Sequence, residues 1–292
     1  MNILSKIKRG DSDLPPRIVL AGPEGIGKST FGSKAPNPLF VSAEDGLTGL
    51  EHVARFTPTS LEELYAFLDA MAIDSGGYKT LVLDTADWLE RFVAAGMCKR
   101  DGQENIEAYG YGKGFTLLEA EMVKILQKLD AIRLKKVIII ILSHVNIRTF
   151  TDPSGPSWDR YEMKGHKKIT GLLREWPDAC LFAIRQVFKK KEKTGKETAI
   201  GGERVIHTTW STAWDAKNRL NLPETLDLDW DAFAKAVKEN SPAALREQVR
   251  KLFGTAKLEA AEKAKWDKWI ATVDTQSPDK IKAAIEKLES HQ

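Results

Sequence analysis

The chain has 292 residues, 42% hydrophobic and 29% charged, enough for one large α/β domain with an appendage. Lys and Arg number 44 against 41 Asp and Glu, and the resulting net charge of +3 argues against a bulk nucleic-acid coat protein while leaving room for local basic patches. Two cysteines, Cys98 and Cys180, lie far apart, which disfavours a disulfide framework or zinc site and points to a reducing cytosol.

The first residues, MNILSKIKRGDSDLPP, are basic but carry no apolar run of signal-peptide length, so residues 1–14 read as an N-terminal arm. The longest aliphatic run, Val137 to Leu142, is far shorter than the ~20 residues of a membrane helix, and a soluble cytoplasmic protein is expected. Strand-like runs bounded by turn residues fall at 17–21, 38–42, 79–84, 137–143 and 179–187. Helical periodicity occupies 29–34, 60–73 and 113–135. Strands that read as continuous apolar runs and alternate with helices predict a mainly parallel sheet covered on both faces. The stretches 181–189 and 203–210 flank the polar KKKEKTGKETAIGGE and predict a β-hairpin, whose basic tip Lys189-Lys190-Lys191 is either a solvated turn or a DNA contact. From 241 the text turns alanine-rich and charged, predicting helices at 241–253, 256–272 and 278–290. Ser241-Pro242 and Ser277-Pro278 read as N-cap followed by first helical residue. The expected organisation is therefore an arm (1–14), an α/β core (15–240) and a small helical module (241–292). Two long polar segments, 99–112 and 146–168, read as functional loops.

The chemistry begins at Gly22-Pro23-Glu24-Gly25-Ile26-Gly27-Lys28-Ser29-Thr30, between the first strand and first helix. This is a P-loop in its required context. Its backbone N–H groups wrap a β-phosphate, the following helix adds its positive end, Lys28 reaches the β/γ oxygens and Ser29 offers a hydroxyl to Mg²⁺. ATP and Mg²⁺ are the expected cofactors. Asp84, ending the apolar strand Leu81-Val82-Leu83, is the expected second metal-linked group. Glu44, after the strand that ends Phe40-Val41-Ser42, is the candidate base if that strand neighbours the P-loop strand. His144, after Leu142-Ser143 at a strand tip, is the candidate γ-phosphate sensor.

In this order the four pieces resemble the RecA-like branch of P-loop ATPases. Over about residues 14–222, GPEGIGKST, VSAEDGL, TLVLDTADWL, SHVNIR and WDRYEMKGHKKITGLLREWPDACLFA look like a phage-encoded ATP-binding family that includes Sak-type single-strand annealing proteins. The resemblance implies a RecA-like ATPase core acting in the host cytoplasm. It implies a homo-oligomer, ring or filament, with ATP sites at subunit interfaces and single-stranded DNA held by two loops. In these loops Lys99, Arg100 and Lys113 accompany Tyr109, Tyr111 and Phe115, and Arg148, Arg160, Lys164, Lys167 and Lys168 accompany Phe150, Trp158 and Tyr161. Cations interleaved with aromatics supply charge neutralisation and base stacking, roughly 1–3 kcal/mol per stacked base. Lys217 and Arg219 stand where such proteins carry cationic fingers into a neighbour's ATP site. The expected function is a DNA-stimulated ATPase promoting single-strand annealing or homologous pairing in phage recombination. A motor or loader remodelling a replication or single-strand-binding partner through the C-terminal helices, and a nucleotide-dependent switch with little turnover, are the alternatives.

Overall fold

The computed structural model describes residues 14–42, 49, 50, 52–191 and 197–291, with backbone alone at 188–191 and 197–200. In chain order the first half runs β1 (Arg17–Ala21), α1 (Lys28–Ser33), β2 (Pro38–Val41), β3 (Ala54–Phe56), α2 (Leu61–Ile73), β4 (Thr80–Asp84), α3 (Ala86–Arg100), α4 (Lys113–Arg133) and β5 (Ile138–Ser143). Then follow β6 (Val145–Phe150), β7 (Trp158–Met163), α5 (Lys167–Glu175), β8 (Ala179–Lys191), β9 (Glu197–His207), β10 (Lys217–Asn218) and β11 (Thr225–Asp227). The chain closes with α6 (Trp230–Glu239), α7 (Pro242–Thr255), α8 (Ala260–Ile270) and α9 (Pro278–Glu289).

Among the described residues nine strands form one sheet in the order β11-β9-β8-β1-β5-β4-β2-β3, with β10 on β8. β1 is central and runs parallel to both β5 and β8, with Val19 level with Ile141 and Cys180. Strand periodicity sends alternate residues to opposite faces, and here both faces are buried. Val19, Leu39, Leu81, Leu83, Ile139 and Ile141 pack with Leu64, Leu68, Leu89, Val93, Met122 and Ile125 of α2, α3 and α4. Ile18, Leu20, Phe40, Val82 and Ile140, all buried, face the other way. There Phe31 of α1 meets Trp230 and Phe233 edge-on, at ring-centre distances of 5.4 and 5.7 Å. Burying each such side chain stabilises the fold by roughly 1.5–3 kcal/mol. The continuous apolar runs of the sequence are thus the signature of a two-sided sheet.

Two expectations need correction. β2 does not neighbour β1: β5 and β4 lie between them, and β2 pairs with β4 and β3. The segment 146–168 is not an irregular loop but an antiparallel ribbon, β6 on β7, leading into α5. Ser241 and Ser277 are the N-caps of α7 and α9, each followed by its proline in the first turn as expected, and Ser241 also accepts from the Ala244 N–H. Local periodicity does not mark β3, β10, β11, α3, α5 or α6.

Contacts divide the chain into two compact units. One comprises Leu14–Arg219 and Pro223–Phe233, the other Leu220–Leu222 and the chain from Ala234 onward. The second closes its own core with Leu245, Val249, Trp266, Val273, Ile281, Ile285 and Leu288 from α7, α8, α9 and the turn between them. No described helix is long and apolar enough to cross a membrane.

Candidate functional site

The loop between β1 and α1 leaves the carboxyl edge of the parallel strands, the edge where open α/β sheets bind ligands. Gly22 donates its N–H to the Ser143 carbonyl at the tip of β5 (3.1 Å). A Cβ on Gly22 would meet the Ala183 carbonyl of β8 at 2.5 Å, so only glycine lets the loop pass between these strands. Gly27 has φ of 113°, outside the range of other residues. The Lys28 ammonium curls back under the loop and donates to the Gly22 and Pro23 carbonyls, both at 2.9 Å. Burial lowers its pKa to about 8, against the opposing charges of Asp84, Asp87 and Glu24.

Ser29, one residue on, donates its hydroxyl to Asp84 Oδ2 at 2.7 Å. A residue in the first helix and one ending β4 are thereby brought together across 55 positions of sequence. Both line a cavity of about 430 Å³ with Lys28, Thr30, Ser42 and His144. Two hard oxygen donors side by side fit Mg²⁺, which takes few protein ligands and keeps its remaining positions for water and phosphate. Among the described residues no separate cluster of metal-ligating side chains occurs. Glu44, the expected base, lies outside the described residues. Ser42, the residue that follows β2, borders the cavity.

His144 lies at the cavity, and its Nδ1 is 3.0 Å from Asp87 Oδ1. Asp87, 5% exposed, also accepts from the Thr85 hydroxyl at 2.7 Å and has the Lys164 ammonium at 3.7 Å. Burial alone would raise the Asp87 pKa. The bonds from His144 and Thr85, with the charges of His144 and Lys164, hold it well below the usual carboxylate range. Sequence reasoning missed Asp87 because an acid in the first turn of a helix is an ordinary dipole partner. It missed Arg204 too, whose Nη1 donates to the Ile26 carbonyl of the P-loop at 3.2 Å from 178 positions away.

The expected DNA cations divide. Lys99, Lys113 and Lys167 are exposed, and Arg148, also exposed, shares a face of β6 with Phe150 and lies 3.9 Å from Glu162 of β7. Arg100 is held by Asp101 and Glu121, both at 2.8 Å, and Lys168 by Glu119 at 3.0 Å. Lys164 belongs to the Asp87 cluster, and its backbone N–H donates to the His144 carbonyl at 2.8 Å. Arg160 must be withdrawn as a DNA contact: it is 7% exposed and its guanidinium is bound to Asp215 at 2.5 Å. Phe115 stacks on His166 and Tyr161 packs on Phe182, so these rings are engaged within the fold.

Lys217 lies far from its own P-loop. With Asn218 it pairs with Cys180 and Ala179 where β8 begins, the sheet edge opposite the P-loop. Its ammonium donates to the carbonyls of Arg174 and Glu175 at the end of α5. Burial, then the charge of Arg219, lowers its pKa. Arg219 is exposed on the same edge.

A family model described as an AAA domain matches residues 14–220, and the chain belongs to this ATP-binding family of P-loop proteins. No curated protein matches it.

Proposed function

We propose that the chain is an ATP-hydrolysing, RecA-like protein that assembles on single-stranded DNA and promotes annealing of complementary strands in phage recombination. The single observation carrying the ATPase half is the Ser29–Asp84 pair at 2.7 Å, poised beneath the P-loop beside Lys28. In this reading the loop N–H groups bind the β-phosphate, and Lys28 exchanges its loop carbonyls for phosphate oxygens. Ser29 and Asp84 hold Mg²⁺, which when bound neutralises charge on the β and γ oxygens. Glu44 orients the attacking water and takes its proton, while His144, fixed by Asp87, contacts the γ-phosphate.

Support for the DNA half comes from the way the β6–β7 ribbon is anchored. His144 immediately precedes β6 and Lys164 immediately follows β7; both reach Asp87, so the sensor and the ribbon's base share one carboxylate. Strand bound along Arg148 and Phe150, which share a face of β6, would thus be felt at the γ-phosphate end of the cavity. Lys217 and Arg219, at the far edge of the sheet, act on ATP only in a neighbouring copy. In this reading hydrolysis therefore depends on head-to-tail assembly.

The test is ATP turnover with and without single-stranded DNA, beside a gel shift over a salt series. Stimulated turnover, lost in Lys28→Ala, and a shift that weakens with salt are expected. Turnover indifferent to DNA, with no shift at low salt, would sink the DNA half. A second reading, ATP-driven remodelling of a protein partner, is favoured by a cavity of about 460 Å³ in the C-terminal unit, lined by Trp266, Trp269, Lys280 and Lys287. Annealing that persists without residues 241–292 would reject it.

A further inference from the structure

A second cavity, of about 550 Å³, adjoins the first and shares Gly27, Thr30 and Arg204 with it. It lacks Lys28, Ser29, Asp84 and His144, the groups that mark the γ-phosphate end, and is lined instead by Lys34, Arg185, Glu203, Asp227 and Leu228. Its volume lies within the roughly 300–1,000 Å³ of small-molecule sites. A triphosphate whose terminal phosphate points to Asp84 and His144 must leave the P-loop on this other side.

Arg185 and Arg204 face each other directly across the antiparallel β8–β9 pair. Like charges in that position destabilise a ribbon, and among the described residues neither guanidinium pairs with a carboxylate. Arg185 donates to the Gly202 carbonyl at 2.8 Å and Arg204 to that of Ile26. The Arg204 Nη1 is so close that a Cβ on Gly27 would meet it at 2.9 Å, with Leu228 Cδ2 at 3.7 Å from the same point. Two guanidinium groups beside the phosphate cradle, without an ion-pair partner among the described residues, suit an anion even though Glu203 and Asp227 line the same cavity.

Resting on the ATP reading, we propose that Arg204, with Arg185 opposite it, is this chain's own clamp on the α- and β-phosphates, and that the cavity beyond holds the nucleoside. Leu228 supplies an apolar wall and Asp227 an acceptor for a ribose hydroxyl or base amine. This clamp acts within one subunit, unlike the cations at the opposite sheet edge, and ties the foot of the β8–β9 hairpin to nucleotide.

Calorimetric titration of the full chain with ADP and, separately, with inorganic tripolyphosphate tests it. Arg204→Ala should lose at least tenfold in affinity for both, with partial recovery in Arg204→Lys. Leu228→Trp, which fills the nucleoside cavity, should lose at least tenfold for ADP and less than twofold for tripolyphosphate. Thermal melting checks that each variant folds, and Arg204 is exposed enough to be replaced without loss of the core. If both variants bind ADP as wild type does while Lys28→Ala does not, the clamp is wrong and the ATP reading stands. If wild type binds neither ligand, or Lys28→Ala binds both normally, the ATP reading falls and the clamp with it.

Discussion

Replacing Asp87 by Asn keeps the shape of the side chain and removes its charge. Two donors bind this carboxylate, Thr85 at 2.7 Å and His144 at 3.0 Å, in a setting only 5% exposed. A hydrogen bond to a charged group contributes about 1.5–3 kcal/mol against about 0.5–1.5 for a neutral pair, so each loses about 1 kcal/mol. Lys164, at 3.7 Å and 42% exposed, adds well under about 1 kcal/mol. The sum, about 2 kcal/mol, corresponds to a fall in Tm of about 4–8 °C for a domain of this size. Urea unfolding at pH 7 reads it directly. The folded carboxyl titrates below its unfolded value of 3.8. Its contribution is therefore fully present above that pH and is lost as pH falls toward the folded pKa. The gap between wild type and Asp87→Asn should narrow from pH 7 to pH 3. ATP turnover should fall about tenfold or more, and His144→Ala should add little to it, because one residue acts through the other. A variant within about 0.5 kcal/mol of wild type at pH 7, or losses in turnover that simply add, would refute the linkage.

Lys28→Ala should reduce ATP turnover at least a hundredfold with the melting temperature held, measured by phosphate release; near-normal turnover would remove the P-loop from the reaction. Because burial holds the free Lys28 pKa at about 8, ATP binding must take up a proton above that pH. The ATP affinity should be flat to pH 7.5 and then decline, by at most about tenfold per pH unit; constancy to pH 9.5 would contradict the assignment. Glu44→Gln should keep ATP binding and lose hydrolysis, and an unchanged rate would remove Glu44 as the base. Leu288→Ala, at a fully buried site of the C-terminal unit, should cost that unit about 2–5 kcal/mol, seen as faster amide exchange in α7 and α9.

Much of this was legible because local physics writes it locally. Gly22 to Thr30 announces a phosphate loop because glycines at fixed spacing are needed wherever backbone must turn inward, and the strands at 17–21, 79–84 and 137–143 announce themselves by being apolar on both faces. The ribbon at 146–163 was not legible, since its β6 face is largely exposed and offers little apolar alternation: Ile147 is 63% exposed and flanked by polar residues. Arg160 and Arg148 look alike in sequence, and only packing separates the buried partner of Asp215 from the exposed arginine beside Glu162.

By itself the sequence determined the two-sided sheet, the glycine-rich loop after β1, the acid at the end of β4 and the helical tail, all set by patterns within about ten residues. Tertiary structure alone decided that β5 separates the P-loop strand from β4 and that Asp87 binds His144. It also placed Arg204 beside the P-loop from far along the chain and Lys217 on the opposite edge. The physical reason is the order in which strands assemble. It fixes which ends share an edge, and no local pattern records which distant side chains will meet there.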